Sequence, residues 1–310
     1  MCKINGLNCI YSDWNQKHGC KFVNFFMDNQ LHYAQLSNQL RIAYTDQGAK
    51  QAPTLVFIHG LANYHKVWDW NVIPLSATFR CIAIDLPGNG YSSRQDVAYT
   101  IDYFAKILIE FLDVLKLTHV ILVGHSMGGQ IALTASLRFP ERVDKMILFA
   151  PAGFEYYTPS EAVLFKSAIT FGNFLNLDET HITQSITSSF YASSAISKKI
   201  IEDLNELIRN NDRVLYRKML DACMNSMLDQ PLFKSLHKIH QPVLVFFGEN
   251  DMLIPNRFLH PVSTVDIARK ACAELQNSVL VTYPETGHFV QIERMQDVNQ
   301  TIGSFLNNML

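Results

Sequence analysis

Short apolar runs recur along the chain and predict the strands of a buried sheet. Residues 31–36 and 40–46 alternate between apolar and polar positions, which predicts an antiparallel pair that turns at Ser37 and Asn38. Later runs lack this alternation, as is typical of parallel strands that are covered on both faces. These six runs are residues 54–58, 80–84, 120–123, 145–149, 243–247 and 279–282.

Helical patterns lie between most of these runs. The clearest covers residues 101–117, where apolar side chains recur every three or four positions and form one stripe. Strands that alternate with helices are typical of a doubly wound sheet. The pattern therefore predicts an α/β fold with a mostly parallel eight-stranded sheet flanked by helices.

A long stretch without a strand pattern interrupts this alternation. Residues 152–238 show only helical segments, near 160–175, 180–191, 195–209 and 212–228. They are either additional packing helices or a cap over the carboxyl ends of the strands, where ligands bind in open α/β sheets. We favour a helical cap inserted after the sixth strand. The predicted division is an N-terminal arm at 1–30, a core formed by 31–151 and 239–310, and a cap at 152–238.

Composition excludes several classes of protein. Hydrophobic residues make up 48% of the 310 positions, which is too apolar for a disordered chain. The net charge of -2 argues against a nucleic-acid partner. No run reaches the roughly 18 apolar residues of a membrane span, and the first thirty residues lack the apolar centre of a secretory signal. We expect a soluble, cytoplasmic protein that acts on a small molecule.

The cysteines give little indication of a metal site. Cys2, Cys9 and Cys20 lie in the N-terminal arm, and their spacing is wider than zinc ligands usually show. We interpret them as ordinary thiols. No metal and no cofactor is expected, and the sequence leaves the oligomeric state open.

A serine lies in the sharpest predicted turn of the chain. Residues 124–128 read Gly-His-Ser-Met-Gly, and they follow a strand pattern and precede a helix pattern. In this setting a strained turn lifts the serine hydroxyl clear of the sheet. Ser126 could instead only cap the helix, but that does not explain the surrounding glycines. We predict that Ser126 is a nucleophile.

A serine nucleophile needs a base, and the base needs an acid. His288 follows the last predicted strand and so lies at the same sheet edge as Ser126. Asp251 follows the strand before it and is the predicted acid. Two other carboxylates compete for this role, Glu249 in the same loop and Glu155 after the sixth strand.

Backbone amides near Ser126 are candidates for binding a developing oxyanion. The strand at 54–58 runs into a tight turn that begins with His59 and Gly60. The amides of Leu61 and Met127 form the natural pair of donors. The turn could also be purely structural, as we expect for Asp85 in the turn at residues 85–92.

Together these segments resemble the α/β-hydrolase fold family over about residues 30–310. The resemblance rests on HG at 59–60, DLPGNGYS at 85–92, GHSMGG at 124–129, GENDMLIP at 248–255 and TGHFVQIE at 286–293. The sequence is similar to the capped branch of this family, which contains carboxylesterases and carbon–carbon bond hydrolases. Ser126 stands where haloalkane dehalogenases and epoxide hydrolases have aspartate, and residues 59–63 lack the HGGPG run of proline iminopeptidases.

The resemblance and the site residues together predict a carboxylesterase-like serine hydrolase. It would cleave a small or medium acyl ester through an acyl-enzyme. One alternative is a carbon–carbon bond hydrolase that acts on the diketone product of ring cleavage. A second alternative, from another class, is a ligand receptor on the same fold with little turnover.

Overall fold

The computed structural model describes residues 30–174, 184, 186–209 and 212–307 of the chain. Almost all of the predicted N-terminal arm, with its three cysteines, lies outside these ranges. Within them, no helix is both long enough and apolar enough to cross a membrane.

All the predicted strands are present and join one sheet. Their bounds differ from the predicted ones by at most two residues, and β3 and β4 begin and end at the predicted residues. The strands are β1 His32–Gln35, β2 Arg41–Gln47, β3 Thr54–Ile58, β4 Arg80–Ile84, β5 Val120–His125, β6 Val143–Phe149, β7 Val243–Gly248 and β8 Ser278–Tyr283.

The sheet has eight strands in the order β1-β2-β4-β3-β5-β6-β7-β8. β2 pairs antiparallel with both β1 and β4, and the remaining neighbours pair in parallel. Every residue of β5 and β7 is buried, which agrees with their unbroken apolar sequences. The predicted mostly parallel eight-stranded sheet is therefore confirmed.

Helices flank the sheet and complete the predicted α/β architecture. Their bounds are α1 Asp69–Leu75, α2 Ile101–Val114, α3 Met127–Arg138, α4 Pro159–Phe174, α5 Ala195–Arg209, α6 Arg213–Asp229, α7 Thr264–Glu274, α8 Val290–Glu293 and α9 Met295–Asn307. Thr100 caps α2, because its side chain accepts a hydrogen bond from the Tyr103 amide. The helix ends before the predicted residue 117, since Lys116 adopts a left-handed φ of 56°.

The described residues between β6 and β7 form helices joined by turns and loops, and they attach firmly to the core. It contains α4, α5 and α6, while the predicted segment near 180–191 lies partly outside the described residues. The Gln130 side chain of α3 donates hydrogen bonds to the carbonyls of Met227 and Gln230, at 3.1 and 3.0 Å. The Ser226 hydroxyl accepts one from the Ile101 amide at 2.8 Å. These bonds fix the end of α6 against α3 and against the first turn of α2.

Candidate active site

Ser126 occupies a strained turn between β5 and α3. Its φ of 54° and ψ of -119° are rarely adopted by a residue other than glycine. The Ser126 amide donates to the Phe149 carbonyl at 2.9 Å, and the Ser126 carbonyl accepts from the Gly129 amide at 2.9 Å. A side-chain carbon at Gly128 would lie 2.2 Å from the Ile58 carbonyl oxygen, so only glycine allows α3 to approach β3 this closely.

The Ser126 hydroxyl is free to meet a ligand. The residue is only partly buried, unlike its neighbours in the turn. Within the described part of the chain, its side chain makes no hydrogen bond. This partly exposed position agrees with a serine hydroxyl that stands clear of the sheet, and the role of Ser126 as a nucleophile stays a prediction.

The structure brings the predicted acid and base together. Nδ1 of His288 donates a hydrogen bond to Oδ2 of Asp251 at 2.7 Å. Oδ1 of the same carboxylate accepts the amides of Leu253 at 2.7 Å and Ile254 at 3.1 Å. Asp251 is completely buried and His288 nearly so. The carboxylate is therefore fixed by three donors, and the imidazole keeps its proton on Nδ1.

In the structure, the side chains of Glu249 and Glu155 have other partners than His288. Glu249 accepts a hydrogen bond from the Thr282 hydroxyl at 2.9 Å and is exposed. Glu155 is buried, where it accepts the Asn256 amide at 2.9 Å and pairs with Nδ1 of His260 at 2.5 Å. Glu155 therefore orients a different histidine, and it does so in the loop that follows Asp251.

His288 lies beside the serine turn. Nε2 of His125 donates to the His288 carbonyl at 3.0 Å, and the two imidazole rings are 4.7 Å apart. Among the described residues, no hydrogen bond joins Ser126 to the His288 ring. Such contacts are often long before substrate binds. The chain thus places residues 126, 251 and 288 at one edge of the sheet.

The turn after β3 lies against the serine. A side-chain carbon at Gly60 would be only 3.1 Å from Cβ of Ser126. The next residues contain Ala62 in a left-handed conformation with φ 55°, and the Asn63 side chain donates to the Leu61 carbonyl at 2.9 Å. The amides of Leu61 and Met127 donate no hydrogen bond to any described residue. Both amides therefore remain available to an oxyanion.

Two histidines at this edge are held neutral. Nδ1 of His59 donates to the Gly60 carbonyl at 2.7 Å, while Nε2 accepts the Leu86 amide at 3.0 Å. Burial lowers the pKa of His59 to about 4, although the nearby Asp85 carboxylate acts in the opposite direction. Burial, together with the neighbouring His288, also lowers the pKa of His125 well below its ordinary value.

Asp85 organises a turn, as the sequence predicts. Its Oδ1 accepts the His65 amide at 2.7 Å and bonds Nδ1 of His65 at 2.9 Å, and its Oδ2 accepts the Tyr91 amide at 2.8 Å. Burial alone would raise the pKa of Asp85, but the charge and the hydrogen bond of His65 hold it below its ordinary value. Its carboxylate faces His65 and the turn.

Two residues near His288 had no role in the sequence-based prediction. The Ser189 carbonyl accepts the His288 amide at 2.7 Å, and the Glu293 carboxylate accepts the Gly287 amide at 3.0 Å. The only sequence feature that could have drawn attention to Glu293 is its place in the segment TGHFVQIE, five residues after His288. No local pattern marks Ser189.

The described ranges also contain no group of three or more His, Cys, Asp or Glu side chains that could hold a metal ion.

Comparison with known proteins assigns the fold to a family. The family model described as alpha/beta hydrolase fold matches residues 53–294. The uncharacterized hydrolase YugF of Bacillus subtilis (strain 168) is 30% identical over 272 residues, which cover 82% of this chain and 89% of YugF.

Two further similarities extend over most of the chain. A 2-hydroxy-6-oxononadienedioate/2-hydroxy-6-oxononatrienedioate hydrolase of Paraburkholderia phymatum is 27% identical, covering 86% of this chain and 91% of that protein. The crystal structure of the enol-lactonase from Burkholderia xenovorans LB400 superposes with a TM-score of 0.73 at 20% identity, covering 89% and 100% of the two chains. The family model covers β3 to β8 with the loops that carry residues 126, 251 and 288, and the similarity to YugF covers 82% of this chain. The chain therefore belongs to the α/β-hydrolase fold family.

Proposed function

We propose that this α/β hydrolase cleaves a small or medium acyl ester with Ser126, His288 and Asp251 as its catalytic triad. The observation that carries the proposal is the 2.7 Å hydrogen bond from His288 Nδ1 to the buried Asp251 carboxylate. With its proton on Nδ1, the neutral imidazole presents Nε2 as the acceptor. A base in this form beside a strained, unbonded serine is suited to acyl transfer.

The reaction proceeds in two steps on these residues. The Ser126 oxygen attacks the ester carbonyl while Nε2 of His288 takes the hydroxyl proton, and the Leu61 and Met127 amides stabilise the oxyanion. His288 then returns the proton to the leaving alcohol, which departs and leaves Ser126 acylated. Water, activated by the same imidazole, releases the acid. Asp251 stabilises the imidazolium in both steps.

We also propose that the helical insertion at 152–238 forms a cap at this site. Its Ser189 carbonyl lies 2.7 Å from the His288 amide nitrogen, and the buried Phe190 belongs to the same segment. The insertion thus reaches the loop that carries the proposed base. A roof formed by these residues would exclude water from the acyl pocket.

A fluorophosphonate probe tests the proposed nucleophile. We expect the native protein to be labelled at Ser126, because the probe reacts with a serine that is activated by a neighbouring base. The variant Ser126→Ala should not be labelled. Ser304→Ala is the matched control, since Ser304 is exposed in α9 and its hydroxyl donates to the Gln300 carbonyl at 3.0 Å. Absence of labelling in the native protein, or equal labelling of Ser126→Ala, would contradict the proposal.

Cleavage of a carbon–carbon bond is the second candidate, and a specific observation favours it. The Paraburkholderia phymatum hydrolase named above matches 86% of this chain. The same base and oxyanion donors could act on a diketone product of ring cleavage. Parallel assays on a panel of acyl esters and on such diketones separate the two reactions. We expect turnover on the esters, and turnover only on the diketones would replace the first proposal with the second.

A further inference from the structure

A short piece of the insertion packs directly on the loop that carries His288. We call residues 189–191 the insertion segment and residues 286–289 the base loop. The Ser189 carbonyl accepts the His288 amide at 2.7 Å. The rings of Phe190 and Phe289 are stacked, with centroids 4.4 Å apart and planes at 8°. The insertion segment therefore contacts the base loop through both its backbone and a side chain.

One carboxylate bridges the two segments. Oε1 of Glu293 accepts the Gly287 amide at 3.0 Å, and Oε2 accepts the Tyr191 amide at 2.8 Å. The approach is close, because a side-chain carbon at Gly287 would lie 2.4 Å from the Ser189 carbonyl oxygen. Hydrogen bonds to an ionised carboxylate are stronger than those between neutral groups. Glu293 thus ties the base loop to the insertion segment with one strong bond on each side.

We propose that Glu293 and the insertion segment form a latch that positions the His288 imidazole for catalysis. Glu293 is then a positioning residue, and this inference rests on the proposed function of His288 as the base. The backbone of His288 is held on one side by the Ser189 carbonyl and on the other by His125 Nε2, at 2.7 and 3.0 Å. Its ring is held by Asp251. Release of the latch removes the support on the Ser189 side.

Glutamine at position 293 releases the latch while it preserves the size of the side chain. The amide oxygen can accept only one of the two N–H groups, and the NH₂ group then faces the other donor. Displacement of a catalytic group by about 1 Å can lower a rate by about 100-fold. We expect Glu293→Gln to lower kcat by about 10–100-fold. KM for the ester should change by less than about threefold, because the two oxygens of Glu293 already accept the Gly287 and Tyr191 amides.

The matched control, Glu274→Gln, removes a carboxylate charge from α7 and leaves the latch intact. Glu274 ends α7 and is exposed, and its side chain makes no ion pair or hydrogen bond with a described residue. Glu274→Gln should leave kcat and KM within about twofold of the native values. The proton NMR signal of His288 Nδ1–H provides a readout that is independent of turnover. It should shift or broaden in Glu293→Gln and remain unchanged in Glu274→Gln.

A second variant removes the other end of the bond and leaves Glu293 intact. Tyr191→Pro removes the amide that Glu293 Oε2 accepts. Ser193→Pro is its control, since residue 193 is exposed and its amide donates to no described residue. If both ends act through one latch, the decreases in kcat for Glu293→Gln and Tyr191→Pro will not multiply in the double variant. Multiplicative decreases would contradict a shared latch.

The outcomes separate this inference from the proposed function. If the native protein cleaves esters and Glu293→Gln does so equally well, with an unchanged His288 signal, the latch is wrong and the triad stands. If the native protein is inactive and unlabelled by fluorophosphonate, the proposed function fails. The His288 signal then still decides whether Glu293 positions the ring. If Glu293→Gln loses both its activity and its thermal unfolding transition, that variant has failed to fold. If Tyr191→Pro keeps its transition, the kcat of Tyr191→Pro decides whether the latch acts.

Discussion

Asp251 shows how a single residue acquires its proposed role from its surroundings. Glu249 lies two positions earlier in the same loop, yet it is exposed, and among the described residues its side chain accepts only the Thr282 hydroxyl, at 2.9 Å. Asp251 is buried and surrounded by three donors, the amides of Leu253 and Ile254 and Nδ1 of His288. These three donors fix the orientation of the Asp251 carboxylate toward His288. Environment rather than residue type therefore separates these two acids.

Asparagine at position 251 tests this assignment. In Asp251→Asn, the amide oxygen can still accept the Leu253 and Ile254 amides, but its NH₂ group then faces His288 Nδ1. The imidazole must then carry its proton on Nε2, where it cannot accept the Ser126 proton. We expect kcat for ester cleavage to fall by about 10³–10⁴-fold. Thermal unfolding measured alongside should show a folded protein.

Glu249→Gln is the control for Asp251→Asn because it removes a carboxylate from the same loop. Its kcat should stay within about twofold of the native value, since the side chain is exposed and Thr282 is its one hydrogen-bond partner in the described part of the chain. If Glu249→Gln loses activity and Asp251→Asn retains it, the acid has been assigned to the wrong residue.

At the scale of elements, the distance between α3 and β3 decides whether the serine turn can form. Gly128 is in the first turn of α3, where a side-chain carbon would lie 2.2 Å from the Ile58 carbonyl and 2.6 Å from the His59 carbonyl. Gly303 is inside α9, and a side-chain carbon there meets nothing within 4 Å. These glycines share a helical setting and differ only in what surrounds them.

Alanine at these two positions should change stability in opposite directions. Gly128→Ala must push α3 away from β3, and overpacking of this kind lowers the free energy of unfolding by about 1–3 kcal/mol. Gly303→Ala should raise it by about 0.5–1 kcal/mol, because alanine loses less backbone entropy in a helix than glycine. Urea unfolding followed by circular dichroism measures both. A neutral Gly128→Ala would show that α3 can move without penalty.

Sequence alone predicts the strands well because their signal is local. The runs that form β3 and β4 are apolar at nearly every position, so both ends were found. The predicted end of α2 lies three residues too late. The apolar stripe continues to Leu115, but the helix ends at Val114, and Lys116 adopts a left-handed conformation in which the helix cannot continue. A periodic pattern reports the buried face of a helix but not the conformation that terminates it.

The candidate site was predictable for a related reason, and only in part. Ser126, Asp251 and His288 each follow a strand of one parallel sheet, so the topology places them at one edge. Their catalytic roles and the boundaries of the cap stay predictions. The bond between Glu293 and the Tyr191 amide joins residues 102 positions apart, and no periodicity or motif signals such a pair. Contacts of this kind emerge only when the insertion is folded on the core.

At the scale of the whole molecule, the buried histidines link the site to the acid stability of the fold. His59 and His125 are buried at the carboxyl ends of β3 and β5, and burial lowers the pKa of both imidazoles. For His59, burial lowers the pKa in the folded protein to about 4, against 6.5 in the ordinary state. Between these two pH values the unfolded chain binds a proton that the folded protein does not. The free energy of unfolding therefore decreases as the pH falls through this window.

His59→Gln isolates this contribution of one residue from every other titration. The glutamine oxygen can still accept the Leu86 amide, which Nε2 of His59 accepts at 3.0 Å, and it does not titrate. Between pH 6.5 and about 4, the native protein should lose about 3 kcal/mol more unfolding free energy than the variant. Above this window the two curves of unfolding free energy against pH should run parallel, because His59 is neutral in both states. Urea unfolding across this pH series measures the difference, and curves that stay parallel down to pH 4 would show that folding does not lower the pKa of His59.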